Sequence, residues 1–144
     1  MHGANTIVVG GGAKDSLLFA GSNDTIKVGN GASDALFCSN GVDSMLSVSN
    51  GQAHVVTMGF GSNNRITLGN GAKDLVNNNG RMPGCNNAIT LGDGNGDVVN
   101  DFGSNETITV GNGSDRVTAG ADSIITLGNG ADTLRTLTRS TITS

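Results

Sequence analysis

A short phrase of alternating apolar and polar residues recurs along the whole chain. Each copy places Ile, Leu or Val at two positions separated by one residue and then runs into a turn, which is Gly-rich in most copies. Alternation with period two is typical of a β-strand that buries one face. The steps between copies are 19, 20, 20, 23, 19 and 17 residues. The copies span residues 6–10, 25–29, 45–49, 65–69, 88–92, 107–111 and 124–128.

A second short strand is predicted after each of these turns, so that one unit reads strand, turn, strand, turn. A unit of this size cannot fold alone, but stacked copies close one continuous apolar core between two parallel sheets. Gly or Asn interrupts every eight to ten residues, which excludes helices. The sequence therefore predicts an all-β parallel β-roll, or β-solenoid, of about seven coils of ~20 residues. Its inward positions in the second strand are Leu17, Leu36, Val56, Val76, Val99, Val117 and Leu134.

Composition narrows the function classes. The chain has 144 residues, 24 of them Gly, and is 35% hydrophobic, which suits a single domain with a narrow core. Its 8 basic and 12 acidic residues are spread out and give a net charge of -4, so nucleic acid is not an expected partner. No apolar run is long enough for a membrane span, and residues 1–12 lack the blocks of a signal peptide.

Enzymatic activity is not expected. The chain offers two Cys and two His, but their spacing does not indicate a nucleophile held beside an oriented base. Cys38 and Cys85 are too few for a disulfide framework and are expected to be free thiols. A ladder of carboxylates arises from the repeat itself, so it does not argue for acid-base catalysis.

The turn after each first strand reads Gly-Asn-Gly-x-Asp, or the same with one extra residue. Stacking would place like carboxylates about 5 Å apart, where repulsion costs about 1 kcal/mol per neighbour in water. A Ca²⁺ ion held by carboxylates and turn carbonyls would offset that repulsion. Alternatively, turn N–H groups could satisfy the carboxylates, and Lys14 or Lys73 could screen them. This acidic column comprises Asp15, Asp34, His54, Asp74, Asp97, Asp115 and Asp132.

These turns resemble the Gly- and Asp-rich nonapeptide repeats of hemolysin-type, or RTX, proteins. Residues 111–117 and 128–134 match the Gly-x-Gly-x-Asp-x-aliphatic core of that motif without a gap, and residues 29–34, 69–74 and 92–97 match it with one insertion. The resemblance implies a calcium-dependent β-roll that leaves a bacterial cell by type I-like export, without an N-terminal signal. The implied calcium ligands are Asp15, Asp34, Asp74, Asp97, Asp115 and Asp132, with Gly111, Gly113, Gly128 and Gly130, and Asp115 and Asp132 fit the motif best.

Two departures from the motif limit this expectation. His54 replaces the acid in the third unit, so calcium is expected to bind weakly or not at all beside it. The inserted residue in several turns could displace the carboxylate and leave a metal-free turn.

The other turn of each coil repeats Gly-Ser-Asn or a close variant and is interpreted as structural. Stacked amides can bond to the copies above and below, so an Asn-rich ladder requires no metal. The column assigned to that ladder is Asn23, Asp43, Asn63, Asn86, Asn105 and Asp122.

Two alternative functions remain open. An outward column with four Thr in a row could recognise a regular surface, as in an ice-binding protein or an adhesin stalk, although Thr is common in strands anyway. A metal-free spacer is the other alternative. Residues 77–87 are expected to form a protruding loop, and uncapped strand edges suggest excision from a longer protein or end-to-end self-association. The outward column is Val8, Lys27, Ser47, Thr67, Thr90, Thr109 and Thr126.

Overall fold

The protein is a parallel β-solenoid without helices in a computed structural model that describes residues 4–80 and 85–144. Each of seven coils contributes one strand to each of two sheets, and one further strand extends the first sheet. The strands are β1 Thr6–Val9, β2 Ser16–Ala20, β3 Thr25–Val28, β4 Ala35–Ser39, β5 Met45–Val48, β6 Val55–Met58, β7 Arg65–Leu68, β8 Leu75–Asn78, β9 Ala88–Leu91, β10 Val98–Asp101, β11 Thr107–Val110, β12 Arg116–Ala119, β13 Ile124–Leu127, β14 Thr133–Thr136 and β15 Thr141–Thr143.

The odd-numbered strands form the eight-stranded first sheet, and the even-numbered strands form the seven-stranded second sheet. All pairings are parallel and in register with the repeat, so that equivalent residues of successive coils are direct neighbours. Ile26, for example, pairs with Leu46, which pairs with Ile66. The predicted β-solenoid of about seven coils is confirmed.

The core is a narrow apolar stack between the two sheets. Ile26, Ile66 and Ile89 of the first sheet are completely buried and face Val56 and Val76 of the second sheet within one cluster. The predicted inward positions of the second sheet all belong to this cluster or pack against it, with Leu17 and Leu134 partly buried. Alternation alone therefore located the buried face of both strands.

One inward column of the second sheet changes from apolar to polar along the solenoid. It runs through Phe19, Cys38 and Met58 and then continues through Asn78 and Asp101, all of them buried. Cys38 is a free thiol, as expected, and both cysteines are buried. Burial raises the pKa of the Cys38 thiol to about 11, which keeps it protonated and unreactive.

The expected loop over residues 77–87 is shorter than predicted. Asn77 and Asn78 belong to β8, and Asn87 re-enters the repeat directly before β9. Residues 81–84, which include Arg81 and Pro83, lie outside the described residues. Across the described ranges, the structure has no helix long and apolar enough to span a membrane.

Candidate metal site

The acidic column lies in the turn that leads from the first sheet to the second. Its side chains point into the turn rather than to solvent, and Asp34, Asp74 and Asp97 are each 1% exposed. Asp115 is equally enclosed at 3%, whereas Asp15 and Asp132 are half-buried. The repeat thus brings the predicted carboxylates together in one stack.

From Asp34 onward, one oxygen of each carboxylate in the stack accepts a hydrogen bond from the backbone of the preceding coil. The N–H of Asp74 donates to Oδ1 of Asp97 over 2.9 Å, and the N–H of Asp97 donates to Oδ1 of Asp115 over 2.9 Å. The same bond joins Asp15 to Asp34, His54 to Asp74 and Asp115 to Asp132. Satisfaction by turn N–H groups, the non-metal interpretation, is therefore correct for this oxygen.

The second oxygen has no such partner. Oδ2 of Asp34, Asp74, Asp97 and Asp115 is buried and has no hydrogen bond of normal geometry among the described residues, although the backbone N–H groups of Lys73 and Gly96 lie close enough to the Asp97 and Asp115 carboxylates to lower their pKa. Neither Lys14 nor Lys73 forms an ion pair with the column in that part of the chain. A row of buried carboxylate oxygens without donors is costly, because each has given up water without gaining a partner.

Turn glycines bring backbone carbonyls close to these free oxygens. A Cβ on Gly94 would lie 1.9 Å from Gly71 O and 2.4 Å from Oδ2 of Asp97. A Cβ on Gly113 would lie 2.0 Å from Gly94 O and 2.8 Å from Oδ2 of Asp115. Carbonyl and carboxylate oxygens of adjacent coils therefore border the same small space in each turn.

The glycines of the two best motif matches follow the same pattern. Gly111 O is 2.3 Å from a Cβ built on Gly128, and Gly113 O is 1.4 Å from one built on Gly130. Their carbonyls thus face the next coil. The half-buried Asp132 lies in a more open turn than Asp97 and Asp115, so the two best motif matches differ in how far they enclose the carboxylate.

Burial dominates the electrostatics of the column. It raises the pKa of Asp97 to about 6, and it raises the pKa of Asp74 and of Asp115 as well, against the hydrogen bonds that lower them. Neighbouring carboxylates add to the increase at Asp97 and Asp115. The column therefore favours whatever neutralises it, a proton or a cation.

The inserted residue does not displace the carboxylate. In the longer turns, the residue before the column position adopts a left-handed conformation, with φ of 63° at Ser33, 64° at Lys73 and 83° at Gly96. This conformation absorbs the extra residue, so Asp34, Asp74 and Asp97 keep the same hydrogen-bond pattern as Asp115.

The opposite turn differs from the prediction by one residue. The column assigned to an amide ladder consists of left-handed residues, such as Asn63 with φ of 56° and Asn105 with φ of 61°, a conformation that Asn and Asp tolerate best. Within this column, Asp122 accepts from the side chain of Arg139 in the next coil, which is an ion pair rather than an amide pair. Other side chains that bond between coils in this turn belong to the next residue, namely Asp24, Ser44, Asn64, Asn87, Glu106 and Ser140.

A true amide ladder exists where none was predicted, on the exposed edge of the Gly-Asn-Gly turns. The N–H of Asn70 donates to Oδ1 of Asn50 over 2.8 Å, and the N–H of Asp93 donates to Oδ1 of Asn70 over 3.0 Å. The sequence feature that could have predicted this ladder is the recurrence of Asn, or of Asp93, between the turn glycines. This asparagine ladder comprises Asn30, Asn50, Asn70, Asp93, Asn112 and Asn129.

A second acidic group lies inside the opposite turn and was also missed. Asn78 donates to Oδ1 of Asp101 over 2.7 Å, and the backbone and side chain of Asn87 donate to Glu106. Burial, together with the charge of Asp101, raises the pKa of Glu106 to about 8. Oδ1 of Asp101 and both oxygens of Glu106 accept from amide donors, whereas Oδ2 of Asp101 is buried without a hydrogen bond among the described residues, like Oδ2 in the acidic column.

Comparisons with family models, with curated proteins and with solved structures each find no match to this chain. Among the described residues, no three His, Cys, Asp or Glu side chains form a group arranged to hold a metal ion. The likeness to RTX repeats therefore rests on the motif itself.

Proposed function

We propose that this chain is a calcium-binding β-roll module of an RTX-like protein. The observation that supports this proposal is the row of buried, donor-free Oδ2 atoms at Asp34, Asp74, Asp97 and Asp115. Each lies beside a backbone carbonyl of the preceding coil, and Ca²⁺ takes carboxylate and carbonyl oxygens together. The oxygens present are thus of the kinds that bind Ca²⁺.

Calcium would link charge to folding in this module. An uncompensated column disfavours the stacked state, because folding buries carboxylates that water stabilises in the unfolded chain. Ions that bind only the stacked coils add their binding free energy to the free energy of unfolding. The module would then remain loosely folded at low calcium and close where calcium is abundant.

Secretion belongs to the same proposal and rests on the resemblance to RTX repeats. Modules of this kind accompany enzymes, toxins or adhesins and fold outside the cell. Binding or scaffolding, rather than catalysis, is the proposed role of this segment, and its partners would be calcium ions, further domains or other copies of the chain.

The direct test compares far-ultraviolet circular dichroism and thermal unfolding in EDTA, in millimolar CaCl₂ and in equal MgCl₂. We expect calcium alone to raise the Tm strongly or to convert a poorly folded chain to β-structure. Magnesium is the control, since it demands tighter octahedral geometry and retains its water. A chain that is equally stable in EDTA and in calcium would refute the proposal.

A second function is favoured by one further observation. The outward Thr column is longer than expected, since Thr67, Thr90, Thr109, Thr126 and Thr143 pair in direct register along the first sheet. Five hydroxyls repeated at about 4.8 Å along one sheet form a regular row that suits an ordered ligand such as ice.

Thermal hysteresis of the folded chain tests this second function. The variant Thr109→Val removes the central hydroxyl but keeps the branched shape and should abolish most of the hysteresis. Ser47→Val, in the same column outside the Thr run, is the matched control. Absence of hysteresis in the unmodified protein would eliminate ice binding.

A further inference from the structure

His54 is the only non-acidic member of the acidic column, and its imidazole points into the turn. The side chain is completely buried, and neither ring nitrogen has a hydrogen-bond partner among the described residues. Nδ1 lies 3.4 Å from Oδ2 of Asp34, which also accepts no hydrogen bond. Two groups without hydrogen bonds thus face each other across the turns of two successive coils.

An imidazole without a hydrogen bond is costly in such a place, even with a carboxylate oxygen 3.4 Å away. A neutral imidazole has one donor and one acceptor nitrogen, and burying both unpaired forfeits their bonds to water. The position does not demand histidine for packing, because Asp occupies it in the other coils. A ligand that satisfies Nδ1 and the Asp34 oxygen at once would account for both groups.

The separation of the two atoms suits ligands that share one metal ion. Two atoms bound at about 2.0–2.2 Å to a tetrahedral Zn²⁺ are about 3.3–3.5 Å apart. We propose that Asp34 Oδ2 and His54 Nδ1 form a binding site for a divalent transition metal of the zinc class, which leaves the calcium positions of the column to Asp74, Asp97 and Asp115. Backbone carbonyls of the turn and water would complete the coordination.

The chemistry of the donors selects the metal class. Imidazole nitrogen is a ligand for Zn²⁺, Co²⁺, Ni²⁺ and Cu²⁺, whereas Ca²⁺ and Mg²⁺ prefer oxygen. The imidazole also occupies the space over the turn glycine, since a Cβ on Gly51 would lie 2.2 Å from Nε2. The coil that is least suited to calcium is therefore the one suited to zinc.

The test uses the full chain, stripped of metal with EDTA and desalted into calcium-free buffer. Titration calorimetry with ZnCl₂ measures affinity, and visible absorption with CoCl₂ reports tetrahedral nitrogen–oxygen coordination. We expect one equivalent to bind, His54→Asn to weaken binding at least tenfold, and Asp34→Asn to weaken it less. His2→Asn is the matched control and should bind as the unmodified chain does.

Two results would overturn the proposal. Unchanged zinc affinity in His54→Asn would assign the metal to other groups, such as the thiols of Cys38 and Cys85. No binding to the unmodified chain would leave Asp34 and His54 as a buried ion pair. If His54→Asn fails to fold, the imidazole NMR signals of the unmodified chain decide, because those of His54 must shift with zinc.

The proposed zinc site and the proposed calcium function can be refuted independently of each other. Zinc binding is measured without calcium, so a chain that binds zinc but ignores calcium retains only this inference. The variant His54→Asp links the two, and its second half rests on the proposed function. It should lose the zinc site and bind one more calcium equivalent than the unmodified chain.

Discussion

Gly71 lies directly beneath the backbone of the preceding coil. A Cβ at this position would be 1.5 Å from Gly51 O, a backbone atom that cannot move without distorting the stack. The turn glycines thus have a steric role beyond flexibility, because they allow successive coils to approach closely. Gly10, at the start of the first of these turns, has nothing within 4 Å of its Cβ position.

Gly71→Ala is therefore expected to lower the free energy of unfolding by about 3 kcal/mol or more, by overpacking against fixed backbone. Gly10→Ala is the matched control and should stay within about 0.5 kcal/mol of the unmodified chain. Urea unfolding monitored by circular dichroism measures both. Equal stabilities of the two variants would contradict the close approach.

Glu106 supplies a prediction for pH. Burial raises its pKa from 4.5 to about 8, so the folded chain binds more protons than the unfolded chain between these values. The free energy of unfolding should therefore fall as the pH rises from about 4.5 to about 8, and level off above that range.

Glu106→Gln keeps the shape and removes the titration. In EDTA, its Tm should fall less between pH 6 and pH 9 than that of the unmodified chain, and it should exceed the latter at pH 9. Asp43→Asn changes an exposed acid and should leave the slope unaltered. A variant with the same slope as the unmodified chain would show that Glu106 is not the titrating group.

Among the elements, the strands were predictable and the turns only partly so. Alternation at Ile66 and Leu68 identifies a strand and its buried face, because side chains two residues apart in a strand point to the same side of the sheet. The turns depend on single backbone angles that no pattern of apolar residues encodes. The ladder beside Asn63 was consequently placed one residue too early.

The same limit applies to the candidate site. The spacing of the repeats predicted that Asp74, Asp97 and Asp115 lie in one column, since stacked repeats align equivalent residues. The repeat did not reveal which carboxylate oxygen accepts a hydrogen bond. It also did not reveal that Asp101 and Glu106, which occupy non-equivalent positions of the repeat, lie near each other. Contacts between positions that are not equivalent require the three-dimensional path of the turn.

Ala53 tests the turn geometry. It adopts φ of 58°, a left-handed conformation that costs an L-residue about 1 kcal/mol, and Gly96 occupies the same position in another coil. Ala53→Gly should raise the free energy of unfolding by about 0.5 kcal/mol after the entropic loss of glycine.

Ala72→Gly is the matched control, because Ala72 has no positive φ. It should lower the free energy of unfolding by about 0.4–1 kcal/mol. Both changes are measured by chemical unfolding at equilibrium. Opposite signs at these neighbouring alanines would verify the left-handed turn, and a loss in both would contradict it.

At the scale of the whole molecule, the acidic column is one electrostatic unit. Asp97 is the buried centre of its longest uninterrupted run, between Asp74 and Asp115. An Asn at this position keeps the Oδ1 acceptor and turns the free Oδ2 into a donor that faces a carbonyl.

Asp97→Asn should consequently raise the Tm in EDTA by about 3–5 °C, for a gain of about 1 kcal/mol. The same variant should lose at least half of the Tm increase that calcium produces. Asp43→Asn, outside the column, is the control for both measurements. A full calcium response in Asp97→Asn would remove this residue from the ion-binding set.

The backbone hydrogen bonds between strands run parallel to the long axis of the solenoid, since every strand pairs with the strand of the next coil. Tension applied at the two ends therefore breaks the hydrogen bonds between coils one coil at a time, starting from the end that is pulled. A single molecule in an optical trap should lengthen in successive steps of about 60–80 Å, as coils of 17 to 23 residues are released. Such a chain would limit the force on whatever it connects, because single coils unfold in turn while the remaining coils stay folded.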